Sequence, residues 1–381
     1  MIYLDYNATT PLDPRVLEAM LPFYKDRFGN AASRHHSLGC DAAKAVEAAR
    51  EEVAALIGAD AREIVWTSGA TESDNLAIKG VATAPATKGN HIVTVSTEHR
   101  AVLDPCEFLE GKGFKVTYLG VDRDGKLDLG RLESAITDRT ILVSVMHANN
   151  ETGVLHPIRE IGALCKAKGV LFHTDATQSF GKEPIDAAAM GADLLSASAH
   201  KICGPKGVGI LYVRRRNPRV RCEALLHGGG HEKGLRSGTL NVPAIVGLGA
   251  AASLCRKESE NGRFRALRDR LERAILSGLE DVAVNGDRDR RVATTTNLSF
   301  GGVDGEDLMK RMPDVAVSSS SACTSALLQP SYVLGAMGYD EERIRGSVRF
   351  SLGRFTTQEE VDAAARQVVE AVRNLRKTAK R

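Results

Sequence analysis

Aromatic residues are scarce, at 5% of the 381 residues, so any core has to be built from aliphatic side chains. An excess of one charge is missing as well. The 51 Lys+Arg and 48 Asp+Glu leave +3 at pH 7. Binding to nucleic acid or to a membrane surface concentrates positive charge, so neither is the expected role. No apolar run reaches the ~18 residues that a membrane helix needs. The start, Met1-Ile2-Tyr3-Leu4-Asp5, has no basic stretch and carries an acid at once, so no signal peptide is expected. The seven cysteines, at 40, 106, 165, 203, 222, 255 and 323, are odd in number, scattered and never spaced Cys-x-x-Cys. That excludes a zinc ribbon, argues against a secreted disulfide scaffold and points to a reducing cytoplasm.

What is present reads as an ordinary folded chain, 43% apolar and 26% charged, with 36 glycines to make turns. The length suggests about two or three domains. A helix is expected from about Asp41 to Ile57, where Val46, Ala49, Val53 and Leu56 fall at helical spacing and Gly58 ends the run. Short apolar, β-branched runs then recur at Glu63–Thr67, His91–Ser96, Lys115–Leu119, Thr140–Met146, Val170–Thr174, Asp193–Ser198 and Val208–Val213. Stretches long enough for a helix separate most of them, among them 72–81, 101–109, 129–136 and 158–168. Strands with little polar alternation, spaced by helices, predict an α/β fold with a mostly parallel seven-stranded sheet covered on both faces. The last two runs are joined by His200–Gly207, too short for a helical crossover, so an antiparallel neighbour is expected there. Beyond residue 250 the pattern changes. A helical stretch over 251–281, strands near 296–300, 315 and 347–352, and helices over 306–311, 331–337 and 358–377 predict a smaller α+β unit. Thr356 or Thr357 would cap the last helix, and Ser318-Ser319-Ser320-Ser321 reads as flexible.

In open parallel sheets, ligands bind beyond the carboxyl ends of the strands. Ser68-Gly69-Ala70-Thr71-Glu72 follows the first run and opens a helix, which suits an anion, although an ordinary helix cap would look the same. Glu98-His99 follows the second run, His147 to Gly153 the fourth, Asp175-Ala176-Thr177-Gln178 the fifth, and Ser198-Ala199-His200-Lys201 the sixth. Taken singly, a lysine is by default a surface residue and a histidine a packing residue. Together they supply a phosphate cradle, a buried acid and an amine, which are the parts pyridoxal phosphate needs. Its ring nitrogen wants an anion, and its aldehyde wants a lysine amine able to form a Schiff base.

The chain resembles the cysteine desulfurases of the NifS/IscS-like family, in the class-V aminotransferase group of fold-type-I enzymes. The segments that carry the resemblance include 3–10 (Tyr-Leu-Asp-Tyr-Asn-Ala-Thr-Thr), 67–75, 148–151, 173–176, 200–207, 236–239, Ser321-Ala322-Cys323-Thr324-Ser325 and 349–354, and they span nearly the whole chain. The resemblance implies an aspartate-aminotransferase-like fold. A large pyridoxal-phosphate domain would cover 13–255, and a small domain made of 1–12 and 256–381 would carry a mobile loop with the catalytic cysteine.

By the same resemblance Lys201 holds the cofactor's aldehyde, Asp175 faces its ring nitrogen and Gln178 donates to its ring oxygen. His99 stacks on the ring and moves protons. Ala70, Thr71, Ser198 and His200 line phosphate and ring, and Thr239 reaches the phosphate of a neighbouring subunit, which implies a homodimer. Asn150 and Arg349 hold the substrate, L-cysteine, with the guanidinium suited to its carboxylate. Asp5 and Asn7 shape the edge of the site. Cys323, as thiolate, takes the substrate sulfur and becomes a persulfide, which passes to an iron–sulfur scaffold or another acceptor. The same thiolate could transiently ligate an iron–sulfur cluster shared with that scaffold. The remaining cysteines read as structural, with Cys203 nearest the cofactor lysine. A selenocysteine lyase or an aminotransferase of the same fold is the alternative, and an aminotransferase would have no need of the Cys323 thiol. A sulfur carrier without catalysis would leave Lys201 idle.

Overall fold

A computed structural model describes residues 1–85, 87–216, 218–258, 260–319 and 330–379. The strands are β1 (Ile2–Tyr3), β2 (Ile64–Thr67), β3 (His91–Val95), β4 (Lys115–Leu119), β5 (Thr140–Ser144), β6 (Leu171–Asp175), β7 (Leu194–Ser198), β8 (Gly209–Val213), β9 (Val282–Val284), β10 (Thr295–Phe300), β11 (Val315–Ala316), β12 (Ser318–Ser319) and β13 (Ser347–Ser351). The helices are α1 (Pro14–Lys25), α2 (Ser37–Leu56), α3 (Ala70–Thr83), α4 (Arg100–Glu110), α5 (Leu129–Ala135), α6 (Ile158–Lys168), α7 (Val242–Lys257), α8 (Asn261–Gly278), α9 (Gly305–Lys310), α10 (Tyr332–Ala336), α11 (Glu341–Arg345) and α12 (Gln358–Ala379).

The main sheet has seven strands in the order β2-β8-β7-β6-β5-β3-β4. All its pairings are parallel except those of β8, which runs against both β7 and β2. The mostly parallel α/β sheet expected from the spacing is therefore present, and the tight link after β7 makes the antiparallel turn. Side-chain alternation sorts the strand residues between two cores. Trp66, Val93, Val143, Leu195 and Ile210 face the helices α2, α6 and α7, whereas Val65, Ile92, Leu142, Leu194 and Leu211 face α3 and α4. Burial of both faces is why these strands read as apolar runs with no polar alternation. Trp66, the single tryptophan, is buried with the Arg50 guanidinium 5.1 Å from its ring centre.

The second sheet, β12-β13-β10-β9, is antiparallel, and a third core beneath it is closed by α8 and α12. β1 pairs in parallel with β11, and Asp5 bridges to Ser351. The first residues of the chain thus run along this second sheet. They then cross to the first, where Thr10 N–H donates to the His200 carbonyl at 3.0 Å.

Three expectations need correction. The helical stretch over 251–281 is two helices, because Glu258 leaves helical geometry and is bound instead by Arg15 at 2.6 Å; α7 also starts earlier, behind the Asn241 cap. The Ser tract is not loose at its start, since Ser318 and Ser319 pair with Arg349 and Val348 of β13. α1, with Asp13 as its cap, precedes what the sequence offered as the first helix. Of the two candidate caps for α12, Thr357 is the one that serves, exchanging hydrogen bonds with Glu360 at 3.0 and 3.2 Å. Among the described residues no helix is long and apolar enough to cross a membrane.

Candidate active site

The carboxyl ends of β2, β3, β5, β6 and β7 meet in one cleft of about 540 Å³. It is lined by Ala70, Thr71, His99, Asn150, Asp175, Gln178, Ser198, His200, Lys201 and Arg349, which are ten of the residues singled out from the sequence. Thr239 is exposed and does not line the cleft of its own chain. Cys323 lies outside the described residues.

One wall is the N-terminus of α3. Gly69 makes the turn into the helix at φ +155°, and no side chain caps the first amides. The loop is braced from outside, where Ser68 N–H donates to Glu72 at 2.9 Å and Arg236 pairs with Glu72 at 2.9 Å. Open amides at the positive end of a helix dipole, with the Ser198 hydroxyl beside Gly69, form an anion cradle.

The opposite wall carries the amine. Lys201 ends a single helical turn after β7, and its Nζ donates to the carbonyls of Asn7 at 2.5 Å and Ala8 at 2.8 Å. His200 beside it hydrogen-bonds Thr9 Oγ1 through Nδ1 at 3.2 Å. Burial, followed by the charges of Lys201, Lys206 and Lys182, brings its pKa down to about 4. His99 caps α4, and its Nδ1 accepts the Ala101 N–H at 3.1 Å. The proton of the neutral ring is therefore on Nε2. Burial holds the His99 pKa below the usual value against the opposing pull of Asp175.

Asp175 terminates β6 at 5% exposure and accepts the Thr177 N–H at 2.8 Å. Two other buried acids stand near it. Burial first, and Asp175 second, raise Asp74 and Glu98 well above the usual carboxylate range. Gln178 lies one turn on, with its Nε2 donating to the Asn7 carbonyl at 3.0 Å and its Oε1 accepting from Lys182 Nζ at 3.2 Å.

Arg349 projects from β13 into the same cleft. Its Nη1 donates to the Asn150 carbonyl at 2.9 Å, and its Nη2 donates to Asp5 Oδ1 at 2.8 Å and to Ser318 Oγ at 3.0 Å. Its Nε is buried and, among the described residues, has no hydrogen-bond partner. Asp5, expected to shape the edge of the site, thus orients this guanidinium. Asn7 ties the sheets together, donating to the Asn150 carbonyl at 3.2 Å and to Thr295 Oγ1 at 3.0 Å.

The donor set fits pyridoxal phosphate. It offers uncapped helix amides for the phosphate, a buried carboxylate, an amine, and two lining residues, Asn7 and Thr177, whose Oδ1 and Oγ1 atoms are buried without partners among the described residues. Such orphaned groups are costly unless a ligand satisfies them. Two lining or adjoining residues escaped the reading of the sequence. Asp74 is hidden in the second turn of α3, and Lys182 is visible only as a lysine one helical turn after Gln178. Cys203 lies near Lys201 as expected, but it faces the adjoining cavity, which Lys201 also lines, together with Cys255.

Residues 2–364 match the class-V aminotransferase family model. The chain belongs to this pyridoxal-phosphate-dependent family. It is 61% identical to the cysteine desulfurase IscS of Anaeromyxobacter sp. strain Fw109-5, over 98% of this chain and 93% of that one. It is 55% identical to the cysteine desulfurase IscS of Rickettsia bellii, over 98% and 92%. A solved NifS-like protein superposes with a TM-score of 0.90 at 38% identity, covering 98% of this chain and 99% of the other. A solved structure of SspA in complex with cysteine gives 0.82 at 39% identity, covering 94% and 100%. Within the family, the place of this chain is among the cysteine desulfurases.

Proposed function

We propose that this chain takes the sulfur from L-cysteine, releases L-alanine, and carries the sulfur as a persulfide on Cys323 for delivery to an acceptor protein. The observation that carries the reading is the convergence, in one cleft, of the Lys201 amine, the Asp175 carboxylate, the open N-terminus of α3 and the Arg349 guanidinium.

When bound, pyridoxal phosphate supplies an electron sink for charge developing at the substrate α-carbon. The amides of Ala70 and Thr71, with the hydroxyl of Ser198 and with His200, hold its phosphate. Asp175 keeps a proton on its ring nitrogen, Gln178 donates to its ring oxygen, and the neutral His99 ring stacks on it. Lys201 holds the cofactor at rest and, once displaced by substrate, moves the proton at the α-carbon. Arg349 takes the substrate carboxylate, with its buried Nε as one donor, and Asn150 closes the same side. Cys323, as thiolate, attacks the substrate sulfur. The carbon–sulfur bond breaks, its electron pair stays on carbon and takes a proton, and L-alanine leaves. No external oxidant is needed, because the sulfur passes between thiols at the expense of the carbon–sulfur bond.

In this reading the enzyme is a homodimer in which Thr239 reaches the neighbouring subunit's phosphate. The acceptor is an iron–sulfur scaffold or another thiolation protein, with Cys323 able to ligate a cluster transiently during transfer, and the compartment is the cytoplasm. Residues 13–255 act as the large domain, and residues 1–12 with 256–381 as the small one. The test is Cys323→Ala assayed for alanine and for protein-bound sulfur, with cofactor content measured alongside. Loss of both products with the cofactor retained is expected. Full alanine production by the variant overturns the assignment.

A further inference from the structure

Lys182 sits just outside the cleft, at a turn that holds its backbone from both sides. Gly181 before it takes φ +68°, the Lys182 N–H donates to the Ser179 carbonyl at 2.9 Å, and Asn261 Nδ2 donates to the Lys182 carbonyl at 2.5 Å. The side chain lines a cavity of about 350 Å³ with Tyr6, Ile185, Cys203, Cys255 and Phe264. Its Nζ reaches Gln178 Oε1 at 3.2 Å, Gln178 Nε2 reaches the Asn7 carbonyl at 3.0 Å, and Lys201 Nζ sits on that same carbonyl at 2.5 Å. One hydrogen-bonded chain therefore joins Lys182 to the cofactor lysine through the Gln178 amide.

A primary amide has nearly the same shape in either of its flipped orientations, so its partners decide which end faces where. Burial lowers the Lys182 pKa to about 7, and in its charged form the amine can only donate, just as a backbone carbonyl can only accept. Lys182 and Asn7 thus select the same orientation from opposite ends. The Gln178 oxygen faces Lys182, and its NH2 faces Asn7 with a second N–H left over in a side chain that lines the cleft. We infer that Lys182 is a positioning residue, which locks the Gln178 amide with its NH2 turned to the cleft and so readies the donor for the cofactor's ring oxygen. The inference rests on the proposed function, in which Gln178 meets that oxygen. An apolar residue at 182 leaves the Gln178 oxygen without its donor, and the opposite flip sets two acceptors against each other.

The test measures, by calorimetry on the full-length apo-protein, the affinity for pyridoxal 5'-phosphate and for its analogue lacking the ring hydroxyl. Lys182→Met should weaken the cofactor about 5- to 10-fold, the worth of one net hydrogen bond, and the analogue less than about twofold. Lys182→Arg, which keeps a donor, should restore most of the cofactor affinity. Gln178→Leu should reproduce the Lys182→Met pattern, which covers the case of a poorly folding lysine variant. Equal losses for both ligands, or no loss for either, overturn the inference. Cofactor binding and alanine production by the wild type test the desulfurase reading separately. A wild type that fails there overturns both, whereas a competent wild type with ligand-blind variants overturns only the role of Lys182.

Discussion

Gly209 offers the sharpest test of how the anion cradle is built. It opens β8 directly behind Gly69, and a Cβ placed on it would lie 2.6 Å from the Ala197 carbonyl oxygen and 2.7 Å from Gly69 Cα. Ordinary contact begins at 3.4 Å, so Gly209→Ala demands a retreat of about 0.7 Å from Gly69. Ala197 cannot supply the space, because it is locked in the β7–β8 ladder. Gly69 must move instead, and it carries the first turn of α3 with it. Overpacking of this kind costs about 1–3 kcal/mol of stability. Losing the aim of one charge-assisted bond to the phosphate costs about 1.5–3 kcal/mol, which is a drop in affinity of about tenfold or more. Thermal unfolding of the apo-protein reads the first effect. Titration with pyridoxal 5'-phosphate and, in parallel, with pyridoxal reads the second, and the loss should be confined to the phosphorylated ligand. An unchanged melting temperature with unchanged affinity would refute the argument, and so would an equal loss for both ligands.

Two further outcomes follow from the same geometry. Asp5→Asn removes the charge that orients Arg349 Nη2 at 2.8 Å, so KM for cysteine should rise about tenfold, the cost of weakening one charged hydrogen bond, with kcat much less affected; a KM equal to that of the wild type would sink the assignment. His156 is buried, both ring nitrogens lack partners among the described residues, and burial with His147 nearby lowers its pKa to about 4. The unfolded chain takes up this proton near pH 6.5, the folded chain only near 4, so the stability tied to the neutral ring is complete above 6.5 and drains away as pH falls toward 4. The stability advantage of the wild type over His156→Gln should therefore shrink by about 2–3 kcal/mol between pH 7.5 and 4.5, and urea unfolding at both values checks it. A gap that does not change with pH would contradict the assigned shift.

The strands of the large sheet were readable almost to the residue, because burial on both faces leaves runs with little polar alternation, such as 140–144 and 209–213. The chemistry at their ends was readable for a related reason. A polar residue ending such a run, as Asp175 and Ser198 do, stands at a position that packing alone does not explain. The long-range arrangement was harder to read. Nothing local marks β1, a two-residue strand that exists only because β11 lies beside it. The break between α7 and α8 falls at Glu258, whose partners Arg15 and Arg354 are distant in sequence. Asp5 looked like part of a motif, yet its work, holding Arg349 from 344 positions away, belongs to the fold. The same holds for Lys182, which acts through a neighbour's amide.

The chain's one indole ring, Trp66 in β2, directly precedes Thr67 and the loop that opens α3, and it sits out of contact with water. The protein therefore carries its own optical probe at the threshold of the cradle. Its emission comes from a single defined place, so ligand entry can be timed from intrinsic fluorescence without any label being attached.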